Sequence, residues 1–216
     1  MERAKVLIVE DHPIFSKGLA ALIGSQQTFE VCGEAADRAN AFTLYEAQQP
    51  DLVIVDLNLG GDDGLEVVKD IHTRNKDTAI LVLSMHDEKY YAERALKAGA
   101  RGYIMKEESS SKVLEAARTV LAGKIWLSEE EQKRMDEMKD EQAGSLSGLS
   151  SLSDRQMQIF TMLGKGLGTI EIASRLNLST KTVDAHKEHI KQKLACASSQ
   201  ELREMAVEWN SHNNFN

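Results

Sequence analysis

The chain has 216 residues, a 42% apolar fraction and a formal net charge of −8, which allows one large or two modest domains and excludes a collagen-like, disulfide-scaffold or wholly disordered chain. No apolar run approaches the length that spans a bilayer, and Met1-Glu2-Arg3-Ala4-Lys5 leads into a strand-like run rather than a signal peptide. With Cys32 and Cys196 far apart and lacking metal-ligand spacing, a cytoplasmic protein without membrane contact is expected.

In chain order, the apolar run Val6 to Val9 predicts a strand, and Ile14, Phe15, Leu19, Leu22 and Ile23 predict a helix over Pro13 to Ile23. Phe29 to Gly33 reads as a strand and Ala39 to Gln48 as a helix. Leu52 to Val55 and Ala79 to Leu83 are continuous apolar runs, each followed by a helical stretch (Leu65 to His72, Glu88 to Lys97). Tyr103 to Met105 and Ser111 to Leu121 complete five β–α repeats. Uninterrupted apolar strands alternating with helices predict a parallel sheet covered on both faces. Residues 1–123 are therefore expected to form one α/β domain.

Residues 124–150 change character and read as a partly helical linker. Glu129 to Glu141 is charged and predicts an exposed helix, and the run from Ala143 to Ser151 is Gly/Ser-rich. Leu127, Met135 and Met138 could form a thin apolar stripe, so either a solvated connector or a contact surface is open. From Ser153 every signal is helical. Ser153 with Gln156 reads as a capping box. Ile159, Phe160 and Leu163 give an apolar face, and Gly164 and Gly166 end that helix. Thr169 is expected to cap a short helix carrying Ile172, Ala173 and Leu176. After Asn177-Leu178-Ser179, Ser179 caps a third helix, Thr180 to Leu194. Two helices joined by about three residues make a helix-turn-helix. Residues 151–209 are assigned to this all-α domain and 210–216 to a polar tail.

In open α/β sheets, ligands bind outside the carboxyl ends of the strands. The expected strand ends carry Glu10 and Asp11, then Asp56, Ser84 and Lys106. Carboxylates this close need a cation, and hard oxygen ligands suit Mg²⁺. A central carboxylate can attack phosphorus, and a cation with a lysine can neutralise a transferring phosphoryl group.

Residues 4–123 resemble a response-regulator receiver domain. The resemblance rests on VLIVEDHPI (6–14), DLVIVDLNLGGDDGLE (51–66), LVLSMHD (81–87) and GARGYIMK (99–106). It implies a flavodoxin-like, doubly wound five-stranded sheet with Asp56 as phosphoacceptor. It also implies Glu10, Asp11, Asp56 and the Asn58 backbone carbonyl around Mg²⁺, Ser84 and Tyr103 as a switch pair, and Lys106 facing the phosphate. Gly60 stands where the family usually has proline, which implies a looser loop. Asn58 and His86 occupy positions that vary in the family and are thought to affect phosphate lifetime.

Charge divides unevenly: net −6 over 1–123, −3 over 124–150 and +1 over 151–216. Any nucleic-acid contact is therefore expected at the C-terminal end. From Ser179 to Leu194 there are four lysines and two acids. On helical spacing Val183, Ile190 and Leu194 fall inward, with Lys181, Asp184, Ala185, Glu188 and Gln192 opposite. Residues 152–205 resemble a four-helix LuxR/NarL-type output domain through LSDRQMQIF, GLGTIEIASRLNLSTKTVDAHKEHIKQKL and SSQEL. Its pairing with a receiver is similar to the NarL/FixJ class of two-component systems. The resemblance implies Asp184, Ala185 and Glu188 at base edges, and Lys181, Thr182, Lys187 and Lys191 at phosphates of double-stranded promoter DNA. It further implies a sensor histidine kinase as phosphate donor, a homodimer when phosphorylated, and a transcription regulator rather than a dedicated enzyme. The competing readings are an orphan transcription factor with an unused pocket, an aspartyl-phosphate phosphatase, and a helix-turn-helix that grips protein or RNA. The phosphatase is disfavoured because Asn58 stands where haloacid-dehalogenase-type enzymes need a second aspartate.

Overall fold

Val6–Val9, Leu52–Val55 and Ala79–Ser84 are buried along their whole length, and they become the centre of a sheet because each face is covered by helices. The computed structural model describes residues 3–60, 62–85, 87–140 and 149–213. Two units make up the chain, Met1–Asp140 and Glu141–Asn216.

In the first unit, β1 (Ala4–Val9), β2 (Phe29–Ala35), β3 (Leu52–Val55), β6 (Ala79–Ser84) and β7 (Gly102–Met105) form a parallel sheet in the order β2-β1-β3-β6-β7. Alternate residues point to opposite faces. Val6, Ile8, Leu52, Ile54, Leu81 and Leu83 meet α1 (Pro13–Gly24) and α5 (Ser110–Leu121) in one core. The opposite face is covered by α2 (Arg38–Gln48), α3 (Gly64–Arg74) and α4 (Glu88–Ala98), which bury Tyr45, Leu65, Val68, Ile71 and Tyr91. The β1–β2 register shifts between Val6 and Leu7, leaving Cys32 as the extra residue. The winding reverses at β1 and β3, so the loops after these neighbours diverge and leave a crevice at their carboxyl ends.

Two short elements escape the sequence patterns. Asn58–Leu59 (β4) and Asp62–Asp63 (β5) pair antiparallel as a small ribbon. Residues 124–140 also belong to the first unit. Trp126 bridges to Gly102 at the edge of the sheet. Its N–H donates to the Arg101 carbonyl (2.9 Å), and its own carbonyl accepts from the Tyr103 N–H (3.1 Å). Ser128 then donates its N–H to Glu88 Oε1 (2.9 Å) and accepts from the Glu131 N–H through its hydroxyl (3.1 Å) at the start of α6 (Glu129–Asp140). Glu131 is 4% exposed and paired with Arg134, which also donates to the Lys89 carbonyl. The helix is therefore anchored to α4 by charged groups, while Leu127 and Met135 are only half-buried. The Met138 side chain and most of the Gly/Ser-rich stretch lie outside the described residues.

The second unit holds α7 (Asp154–Gly164), α8 (Thr169–Arg175), α9 (Thr180–Lys193) and α10 (Ser199–Asn213). Ile159, Phe160, Ile172, Leu176, Val183, Ile190, Leu202 and Ala206 are buried between them. The α7 capping box is present, with Ser153 Oγ accepting from the Gln156 N–H and Gln156 Oε1 from the Ser153 N–H. Ser179 caps α9 through the Thr182 N–H (3.0 Å). Two expectations are corrected. Gly168, not Thr169, is the N-cap of α8, and its N–H donates to Glu171 Oε2. Gly164 does not stop α7 by conformation; a Cβ there would lie 2.3 Å from the Ala206 carbonyl, so it lets α10 approach. The chain turns instead at Gly166, at φ +83°. Residues 210–213, expected as tail, continue α10, and Asn210 is buried beside Gly164. Residues 214–216 lie outside the described residues.

Candidate functional site

Ladder geometry brings four strand ends together. The Asp56 N–H donates to the Val9 carbonyl (2.9 Å), and the Lys106 N–H to the Ser84 carbonyl (2.8 Å). Glu10, Asp56 and the Lys106 side chain are each about 95% buried. Lys106 Nζ lies 2.9 Å from Asp56 Oδ2 and 2.5 Å from Glu10 Oε2, and 4.4 Å from the centroid of the Phe15 ring. Burial is the largest influence on the Asp56 carboxyl and raises it to about 6; Glu10 adds to this, while Lys106 and the Asn58 N–H oppose it. Desolvation outweighs the ion pair because a single ammonium is shared between two carboxylates.

Asp11 adds a third carboxylate, and Glu10, Asp11, His12 and Asp56 each offer an atom within 4.8 Å of the others. His12 Nδ1 is hydrogen-bonded to Glu10 Oε1 (3.1 Å). It also lies 2.8 Å from Asp11 Oδ1, without the angle of a hydrogen bond. Among the described residues, Asp11 Oδ1 and Asn58 Oδ1 are buried without a hydrogen-bond partner. Three carboxylates beside one lysine, with Asp11 Oδ1 buried and lacking a hydrogen-bond partner, fit a hard divalent cation. Sequence reasoning missed His12, because a histidine next to two acids before a proline looks like a loop residue.

It also missed Gly64, where a Cβ would lie 2.0 Å from the Asp56 carbonyl oxygen. Only the absence of a side chain lets α3 start so close to the pocket. Gly60 adopts φ +63° with its Cβ direction 3.0 Å from Asp11 Oδ2. A proline, fixed near −65°, could not adopt this conformation at position 60. Ser84 and Tyr103 are completely buried and hydrogen-bonded to each other. Burial pushes the Tyr103 hydroxyl far above its ordinary value, so it stays protonated. His86 lies outside the described residues. Beside the pocket, a cavity of about 610 Å³ is lined by Ile14, Phe15, Leu19, Met85 and Lys106, with Ile14 90% exposed.

In the second unit, Lys181, Asp184, Ala185, Glu188 and Gln192 are exposed on one side of α9, while Val183 and Ile190 are buried on the other. Thr182 is tied into the cap, with its hydroxyl 2.7 Å from Ser179 Oγ. Lys187 Nζ donates to Asp184 Oδ1 (3.2 Å) and Thr169 Oγ1 (3.1 Å). Lys191 Nζ donates to both oxygens of Glu188. Lys193 is structural, donating to the Ser151 carbonyl and Gln156 Oε1. Charge counting along α9 therefore overstated the free cations, since i,i+3 pairing engages two of the four lysines.

Residues 6–118 match the response regulator receiver domain model, and residues 150–206 match that of the bacterial regulatory proteins of the luxR family. The oxygen regulatory protein NreC of Staphylococcus epidermidis is 34% identical over 210 residues, covering 94% of this chain and 96% of that protein. NreC of Staphylococcus carnosus is 34% identical over 209 residues, with the same coverage of both chains. A LuxR-family two-component response regulator from Aurantimonas sp. superposes with a TM-score of 0.60 at 33% identity, over 65% of this chain and 100% of that one. RcsB of Salmonella enterica serovar Typhimurium, bound to promoter P1flhDC with phosphomimetic BeF3−, gives 0.62 at 20% identity, over 96% and 100%. That last likeness is one of fold.

Proposed function

The chain belongs to the two-component response regulators that join a receiver domain to a LuxR-type DNA-binding domain, and from that premise we propose that phosphorylation of Asp56 controls binding of α9 to promoter DNA. The observation that carries this reading is the buried meeting of Asp56, Glu10 and Lys106 beside the hydrogen-bonded Ser84 and Tyr103.

The donor is a histidine kinase, whose phosphoimidazole loses its P–N bond as an Asp56 oxygen forms the new P–O bond. Ile14 and the adjoining cavity offer the donor protein an apolar contact next to the pocket. Glu10, Asp11, Asp56 and Asn58, with His12 beside them, would hold Mg²⁺, which supplies charge neutralisation for the phosphoryl oxygens. Lys106, already held against Asp56 and Glu10, pairs with a phosphoryl oxygen without needing to reorganise. The Ser84 hydroxyl now bonded to Tyr103 is the group that reaches the attached phosphoryl. Phosphorylation therefore competes with the Ser84–Tyr103 bond. The Tyr103 N–H donates to Trp126, so a shift of β7 bears directly on the segment leading to α6. The phosphoryl group biases an equilibrium by its differential contacts, and pairing of two protomers places two recognition helices on neighbouring half-sites.

The test is duplex selection from a random pool in Mg²⁺, with and without beryllofluoride, using wild type and Asp56→Ala. Enrichment of a paired motif that depends on beryllofluoride and is lost in Asp56→Ala supports the reading. Equal enrichment in all arms overturns the switch and leaves an orphan DNA-binding factor governed by protein level.

A further inference from the structure

The exposed side of α9 presents acceptors. The Asp184 and Glu188 side chains are 60% and 59% exposed, whereas their partners Lys187 and Lys191 are 19% and 18% exposed. Each lysine lies back against the domain and holds a carboxylate forward. Asp184 is fixed from two sides, since Thr169 Oγ1 at the start of α8 donates to Oδ1 (3.3 Å) and Lys187 donates to the same oxygen. Among the described residues, no hydrogen bond reaches Asp184 Oδ2. Asp184 lies in the N-terminal half of α9, the part of a recognition helix that meets base edges, and Glu188 lies one helical turn further along the same exposed side, about 6 Å along the axis.

A carboxylate in the major groove accepts hydrogen bonds and donates none, so it selects exocyclic amino groups. These are cytosine N4 and adenine N6. Adenine N6 is flanked by acceptors on both sides, N7 of its own ring and O4 of thymine, and both repel a carboxylate. Cytosine N4 is flanked by one acceptor, guanine O6, and on the other side by C5–H. We propose that Asp184 and Glu188 read two C·G base pairs within each half-site by accepting from cytosine N4, with Thr169 as the positioning residue for Asp184. The inference rests on the duplex-DNA reading of α9 given above and adds its base specificity. Lys187 and Lys191 lower the electrostatic cost of bringing two carboxylates into a polyanionic groove, because each carboxylate arrives already paired.

The experiment is duplex selection with the full chain in Mg²⁺ and beryllofluoride, comparing wild type, Asp184→Asn, Glu188→Gln, Thr169→Val and Thr169→Ser. The substitutions at 184 and 188 lie on an exposed face, and an unchanged thermal transition checks that folding is retained. Asn and Gln complement adenine through N6 and N7. Asp184→Asn is therefore expected to move one C·G position to A·T by roughly tenfold, and Glu188→Gln to move the other. Thr169→Val is expected to weaken discrimination only at the Asp184 position, and Thr169→Ser to restore it. A motif lacking C·G at these positions, or one unchanged in both carboxylate variants, overturns the inference while leaving DNA binding intact. Failure of wild type to enrich any duplex overturns the DNA-binding reading itself, and this inference with it.

Discussion

The strand-end pocket of the first unit and the outer side of α9 each set acids against lysines, but they do so in opposite solvents. Lys106, Glu10 and Asp56 are about 95% buried, and one ammonium serves two carboxylates. On α9 each of two half-buried lysines serves its own solvent-exposed carboxylate. The buried set is poised and undercharged, so its chemistry is fixed before any ligand arrives and the protein bears the electrostatic cost at rest. The exposed set costs the fold little.

Removing one cation from each region should widen this contrast most. Lys106→Met leaves Glu10 and Asp56 buried without their ammonium, and thermal denaturation in chelator is expected to show a loss of roughly 3–5 kcal/mol in the first unit. Added Mg²⁺ should recover part of it. A loss below about 1 kcal/mol would mean that the pocket is wetter than its burial indicates.

Next in size is Asp56→Asn, which removes one anion from the crowded group without changing its shape. In chelator the first unit is expected to gain on the order of 2 kcal/mol, and Mg²⁺ should stabilise it less than it stabilises wild type. A destabilised Asp56→Asn would mean that the Lys106 pair outweighs burial.

Glu88 provides a smaller test away from the pocket. Its carboxyl is raised by burial, which outweighs the opposing hydrogen bond from Ser128. A raised folded value means that its stabilising contribution is complete below the ordinary glutamate range and is lost as pH rises through the folded value. Stability of the first unit should therefore fall across that window in wild type, and the fall should be shallower in Glu88→Gln. Identical profiles would remove Glu88 as a source.

The smallest effect is expected at Lys191→Met, where the pair with the solvent-exposed Glu188 carboxylate contributes about 0.5 kcal/mol or less. Its melting curve should overlay wild type, and a loss comparable to that of Lys106→Met would erase the distinction between the two regions.

The pocket was legible because its residues stand at the ends of apolar runs, and period and position together locate them without any knowledge of contacts. Asp56 after Leu52–Val55 is the clearest case. Glu131 was not legible, because a glutamate inside a charged helix carries no pattern that announces burial; the ties of its neighbours to α4, Ser128 to Glu88 and Arg134 to the Lys89 carbonyl, join residues some forty positions apart. Trp126 is a lone aromatic without periodicity, so its bridge to Gly102 could not be anticipated. Gly64 and Gly164 are needed for close approach rather than for backbone conformation, and closeness between distant segments is invisible along a single chain. On α9 the inward and outward sides followed from spacing alone. The pairing of Lys187 with both Asp184 and Thr169 did not, since Thr169 comes from another helix.

The anchoring of Trp126 against β7 has a practical consequence. The chain has two tryptophans, one at the sheet edge beside Tyr103 and the other, Trp209, in the second unit with its ring 5.6 Å from that of Phe160. Each unit thus carries its own intrinsic fluorophore. Trp126→Phe leaves emission from the output unit alone, and Trp209→Phe leaves a reporter whose carbonyl is bonded to the Tyr103 backbone, so the two halves can be watched separately without an added label.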